Sequence, residues 1–221
     1  MTPEGLTRPS EHPPRHDRSS TIRALTTPFR VVRDNLRAYL VLNGIVYGTF
    51  VVGMGVGLVF PDLTASQVAA VRESSSADAI RSLMGNVSLF ALVILANNVF
   101  RAGLLSIVLP SMVVPFAGIA VITVQVLYTG VILAPVNAEA VATLVPHSVT
   151  LLVEFQAYVV LALGGYVLGR SWTRPSSVGE DHRWRGYVRG LRQLGWLSLL
   201  ALVLLVVGAA YEAVSVVYII A

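Results

Sequence analysis

Along most of this chain the apolar residues are not dispersed at a spacing of two or of three to four. They come in five runs of about twenty residues or more, and such a run covers ~30 Å of hydrocarbon at ~1.5 Å per helical residue. The runs predict membrane-spanning helices at 39–60, 87–109, 113–134, 148–169 and 194–220. Pro110 and Pro115 bracket a tight turn between the second and the third. The expected fold class is all-α: a polytopic membrane helix bundle of about five transmembrane helices with short amphipathic interfacial helices.

The segments between the runs have their own patterns. Residues 1–21 are rich in proline, charge and small polar side chains and hold no apolar run. Residues 1–27 are therefore expected to form a disordered cytoplasmic tail, and 28–221 the transmembrane domain. The first apolar run begins too far along the chain for a secretory signal peptide. Between Pro28 and Ala38, Phe29, Val32 and Leu36 can share a helix face bordered by Arg30, Arg33 and Arg37, which predicts a short amphipathic helix on the inner membrane surface. In the loop after span one, Thr64 and Gln67 have capping-box spacing and predict a surface helix. Arg185, Arg189 and Arg192, at i, i+4 and i+7, place a basic face on a helix that runs into span five.

Composition narrows the class. The chain is 55% hydrophobic and 13% charged, with a mean hydropathy of +0.71, where a soluble domain is about a quarter charged. Cysteine is absent, which excludes disulfides, thiolate metal sites and a cysteine nucleophile. All 16 basic residues are arginine. Their distribution carries topology: seven fall within 8–37 and six within 170–192, leaving Arg72 and Arg81 in the other polar loop and Arg101 within a span. Five spans with the N-terminus in the cytoplasm put thirteen arginines inside and two outside. The expected location is the cell membrane of a prokaryote, with the C-terminus outside. The expected partners are the lipid bilayer, anionic headgroups at the cytoplasmic arginines, and membrane or envelope proteins; nucleic acid is not expected.

Ionisable side chains within spans cost roughly 2.5–3.5 kcal/mol each on insertion scales and need a reason. Arg101, Glu154 and Glu212 are such residues. Asn97, Asn98 and Arg101, at i, i+1 and i+4, line one polar face of span two. His147 and Glu154 are seven apart and share a side of span four, while Gln125 and Gln156 add amides. Helical rise places Arg101 about 12 Å from the inner end of its span, and Glu154 and Glu212 about 9 and 12 Å from the outer ends of theirs. A candidate intramembrane polar network thus comprises Asn97, Asn98, Arg101, Gln125, His147, Glu154, Gln156 and Glu212. It serves either as an ion or proton pathway or as interhelical glue. His147, after Pro146, is expected at the N-terminal end of span four rather than on a metal.

Gly44 and Gly48, Gly53 and Gly57, and Gly165 and Gly169 have the small-xxx-small spacing of close helix contacts, made within the chain or with a second copy. No zinc-protease helix motif, P-loop, nucleophile elbow or Cys/His cluster is present. A non-catalytic protein without cofactor or metal is expected.

Several short motifs occur in a telling order. The segments ANNVFRAG (96–103), PH (146–147), EFQA (154–157), GGYVLG (164–169) and AAYEA (209–213) resemble the stage II sporulation protein M family. Its members carry an Asn-Asn-x-x-Arg-like segment in an early span, a Pro-His-Gly-x-x-Glu-x-x-Ala stretch later, and an Ala-Ala-x-Glu-Ala-like end to the last span. The likeness covers roughly 90–213. Ser148 stands where the family has glycine, and Glu154 follows His147 by seven residues where the family pattern has four. The resemblance implies an integral membrane protein that gathers envelope-associated partners, with a general envelope role rather than engulfment. A transporter or channel subunit with a polar intramembrane pathway is the alternative.

Overall fold

The long apolar runs form helices because a helix satisfies every backbone group within its own segment, with no need of water. A computed structural model describes residues 18–73 and 86–215. In chain order the helices are α1 (Arg18–Asp34), α2 (Leu36–Val59), α3 (Pro61–Arg72), α4 (Val87–Val113), α5 (Ala117–Ile132), α6 (Ala138–Thr173) and α7 (Arg183–Ser215), with a short 3₁₀ turn at Pro175–Val178. No strand occurs among the described residues. The all-α expectation holds. Most of the tail (1–17), the stretch 74–85 that includes Arg81, and the last five residues of span five lie outside the described residues.

Four helices are long and apolar enough to cross a membrane: α2, α4, the Val-rich part of α6 from His147, and α7. The expected third span is shorter. Helix α5 has 16 residues, about 24 Å, because the chain turns at 114–116 and Pro135 prevents continuation beyond Leu133. Phe116 makes that turn in the left-handed region, φ 67°. Its ring is seated on Gly169, where a Cβ would come within 2.8 Å of it.

Several other boundaries move. Helix α1 begins at Arg18, so residues 18–27 are helical rather than tail. Its inward side is Pro28 and Val31, while Phe29 is 62% exposed. At Asn35 the chain leaves α1 and restarts as α2. Pro61 opens α3 at its first position, so Thr64 is not a cap. It is buried instead and donates to the carbonyls of Gly57 and Val131. Helix α6 starts at Ala138 under an Asn137 cap, which places His147 inside the helix rather than at its end.

Helix α6 is the axis of the bundle. Of its apolar span 67% is buried, against 22% for α2 and α4 and 33% for α7. Residues 157–169 hold no charged or amide side chain and include Ala157, Ala162, Gly164 and Gly165, so neighbours approach closely on all sides. Helix α7 lies antiparallel along it: Gly190 meets Leu168, Gly186 meets Ser171, and Gly208 meets Glu154. Helix α4 runs parallel to α6, with Gly103 against Leu161. Helices α2 and α5 also run parallel, Gly53 against Leu127 and Gly130, Gly57 against Val131 and Ala134. Successive apolar helices therefore alternate in direction.

The three glycine pairs divide. Gly53–Gly57 and Gly165–Gly169 are closed by α5, Ser111 and Phe116 within the chain, whereas a Cβ on Gly44 or Gly48 meets nothing within 4 Å. Gly130→Leu is expected to destabilise the folded protein by about 2 kcal/mol or more through overpacking against Phe50 and Gly53. Gly44→Leu should change stability by less than about 0.5 kcal/mol. Unfolding of both variants in one neutral detergent checks the contrast.

Candidate functional site

The polar side chains of the spans meet across helix seams, and most of the seams involve α6. Glu154 and Gln156 are two residues apart, so they project about 200° from each other around that helix. Glu154 faces α4 and α7. Its carboxylate accepts a short hydrogen bond from Asn98 Nδ2 and its Cγ lies against Gly208 of α7. One turn beyond Gly208, Glu212 stands 3.7 Å from His147 Nε2, with side-chain exposures of 21% and 28%. His147, Thr150 and Glu154, at i, i+3 and i+7, form one stripe of α6. Between the two ionisable groups, the buried Thr150 Oγ1 has no hydrogen-bond partner among the described residues.

On the opposite side Gln156 reaches α2. Its Oε1 accepts from Tyr39 OH at 2.7 Å, and its Nε2 donates to Asn43 Oδ1 at 2.8 Å and to Tyr47 OH at 2.9 Å. Tyr47 OH in turn donates to the Leu152 carbonyl at 3.2 Å. Tyr39, Asn43 and Tyr47 stand at i, i+4 and i+8 of α2. That spacing was visible in the sequence as a polar stripe on a packing helix, yet it was not singled out there. The third seam joins α4 to α5: Gln125 Nε2 donates to Ser106 Oγ at 2.8 Å, and Ser106 donates to the Arg101 carbonyl at 2.7 Å.

The middle of α4 departs from α-helical winding. Residues Asn97–Val108 form a π-helix, a rare geometry that occurs often at functional sites. Its buried positions are Asn98, Gly103, Ser106 and Ile107, a spacing wider than 3.6. The expected common face of Asn97, Asn98 and Arg101 is consequently split. Asn98 is buried against Glu154, while Asn97 and Arg101 are exposed. Asn97 makes a long 3.5 Å contact to Asn98 Oδ1. Among the described residues Arg101 pairs with no carboxylate.

Six of the eight polar residues expected to form one network therefore separate into a Glu154–Asn98 and His147–Glu212 cluster, a Gln156 clamp and a Gln125–Ser106 link, while Asn97 and Arg101 stand exposed outside them. Among the described residues no group of three or more His, Asp and Glu side chains is placed to hold a metal. No protein-family model, curated protein or solved structure matches this chain.

Replacing Gln156 by Leu removes three side-chain bonds between α2 and α6. At about 0.6 kcal/mol per interhelical bond in a membrane protein, the expected loss is about 2 kcal/mol. Glu154→Gln keeps an acceptor for Asn98 and should cost less. Denaturant unfolding in detergent micelles measures both.

Proposed function

We propose that this chain is a non-catalytic, multi-pass scaffold of the cell membrane, of the stage II sporulation protein M type, that assembles envelope-associated partners. The observation that carries the reading is the closure of Gln156 and Glu154 by hydrogen bonds to neighbouring helices. Gln156 has its acceptor and both donors used by α2, and Glu154 is taken up by Asn98. Such bonds fix helix positions relative to one another. A rigid bundle whose outer faces retain an open stripe at Gly44 and Gly48 suits a protein that other helices dock against. The alternating helix directions support five crossings, and the arginine distribution supports a cytoplasmic N-terminus and an external C-terminus.

One observation favours a transport role as the second reading. The unpartnered Thr150 hydroxyl sits between His147 and Glu154, and the His147–Glu212 pair is partly exposed. A water or cation passing there would find oxygen and imidazole ligands.

The readings separate in one pair of measurements. For the scaffold, Glu154→Gln and Glu212→Gln leave partner co-purification from native membranes within about twofold of wild type. Leucine at Gly44 and Gly48 reduces it. Proteoliposomes of the wild-type protein should show no proton or cation flux above protein-free vesicles. A flux abolished by Glu154→Gln overturns the scaffold. For orientation, a C-terminal reporter fusion is expected to be active only outside the cytoplasm.

A further inference from the structure

Helix α7 extends about 15 Å before its uniformly apolar part begins near Leu194. Against this stretch lies α1, and between them is a cavity of about 1200 Å³. Arg30 of α1 and Arg185, Arg189 and Arg192 of α7 line it. So do the carboxylates Asp34 and Glu180, and Glu180 is engaged by Arg189 at 3.4 Å. Four guanidinium groups against two carboxylates leave the cavity positive. Arg185 and Arg192 have no carboxylate partner among the described residues. Gln193, which also lines the cavity, has a buried acceptor, Oε1, with no hydrogen-bond partner among the described residues.

A second cavity, of about 240 Å³, lies further along α7, between that helix, α4 and α6. Its lining is apolar and includes Gly195, Leu199 and Leu202. Val188, Arg192, Gly195, Leu199 and Leu202 follow one another at i, i+4, i+7, i+11 and i+14, within about 40° of one line along the helix. The basic cavity and the apolar groove therefore meet along this line of α7, the cavity reaching to one side of it and the groove to the other. From Arg192 the groove begins about 5 Å deeper and ends about 15 Å deeper. At Gly195 the groove is open, since a Cβ there meets nothing within 4 Å. Leu199 is 54% exposed and Leu202 40%. Trp196 lines the basic cavity at its apolar end, the depth at which tryptophan marks a membrane interface.

From this face we infer a binding site for one anionic phospholipid. Its phosphate lies among Arg30, Arg185 and Arg192, a headgroup hydroxyl donates to Gln193, and one acyl chain lies in the groove along Gly195, Leu199 and Leu202. Guanidinium forks suit phosphate oxygens, and the vertical order of charge, tryptophan and groove is that of a phospholipid in a leaflet. The inference rests on the membrane reading given above, but not on which way the chain is oriented or on its role as a scaffold.

The test uses the full-length chain with Trp172→Phe and Trp184→Phe, so that Trp196 is the reporter, floated in lipid vesicles to verify insertion. Brominated acyl chains quench tryptophan on contact. Brominated phosphatidylglycerol is expected to displace unlabelled lipid at Trp196 about tenfold better than brominated phosphatidylcholine. Arg185→Gln with Arg192→Gln should bring that preference to within about twofold. Gly195→Leu, which fills the groove, should weaken quenching by phosphatidylglycerol about threefold. Equal quenching by the two lipids in the wild-type chain overturns the site, as does a preference that survives loss of both arginines. Unchanged affinity in Gly195→Leu removes the acyl groove. Displacement by inorganic phosphate at constant ionic strength assigns the cavity to a soluble anion instead and overturns the lipid. Quenching by neither lipid, with no flotation, overturns the membrane reading together with the site.

Discussion

Helix α6 carries a carboxylate on one side and an amide on the other, in a span whose surroundings are otherwise apolar. Each group has to be met by a neighbour, because hydrocarbon offers no replacement for water. Glu154 is met by Asn98 and Gln156 by three groups of α2. These partners set which helices touch α6 and in what register. With α2, α4 and α7 held against one helix, the small residues 157–169 become the common core.

The same demand explains where the bundle is regular and where it is not. Glycines at several crossings allow the backbones to approach, as at Gly53 with Gly130 and at Gly190 with Leu168. Opposite Glu154 the path of α4 is wound as a π-helix, and its buried positions follow the wider turn. That winding turns Asn98 inward and leaves Arg101 at the surface. Charge at the other helix ends is treated differently. Arg170 reaches Asn35 at 3.3 Å, which ties the junction of α1 and α2 to the end of α6. Arg185, Arg189 and Arg192 of α7 line an open cavity.

The polar residues of the spans thus have unequal roles. Gln156, Gln125 and Ser106 are closed by hydrogen bonds between helices. Glu154, Glu212, His147 and Thr150 gather at one end of the α6–α7 seam and keep partial access and one unpartnered hydroxyl. The arginines gather at the other end. A protein with this division has rigid middle layers and two chemically distinct ends.

Read alone, the sequence determined the class of the protein and most of its helices. Hydrophobic run length is a local property, so α2 and the start of α4 lie where the runs put them, and α7 carries its basic face at 185–192. Composition excluded thiol chemistry outright. Tertiary structure decided what run length cannot express. The third apolar run is cut to 16 residues by a turn that depends on Phe116 seating on Gly169, a contact between helices. The joint face of Asn97, Asn98 and Arg101 assumed 3.6 residues per turn, and the π-helix gives another periodicity. Glycine spacing predicted close contacts at three pairs, but only a neighbour's surface decides which are closed, and Gly44 and Gly48 have none among the described residues. The pairing of Gln156 with Tyr39, Asn43 and Tyr47 spans more than a hundred residues, and no spacing along one helix encodes its partner on another.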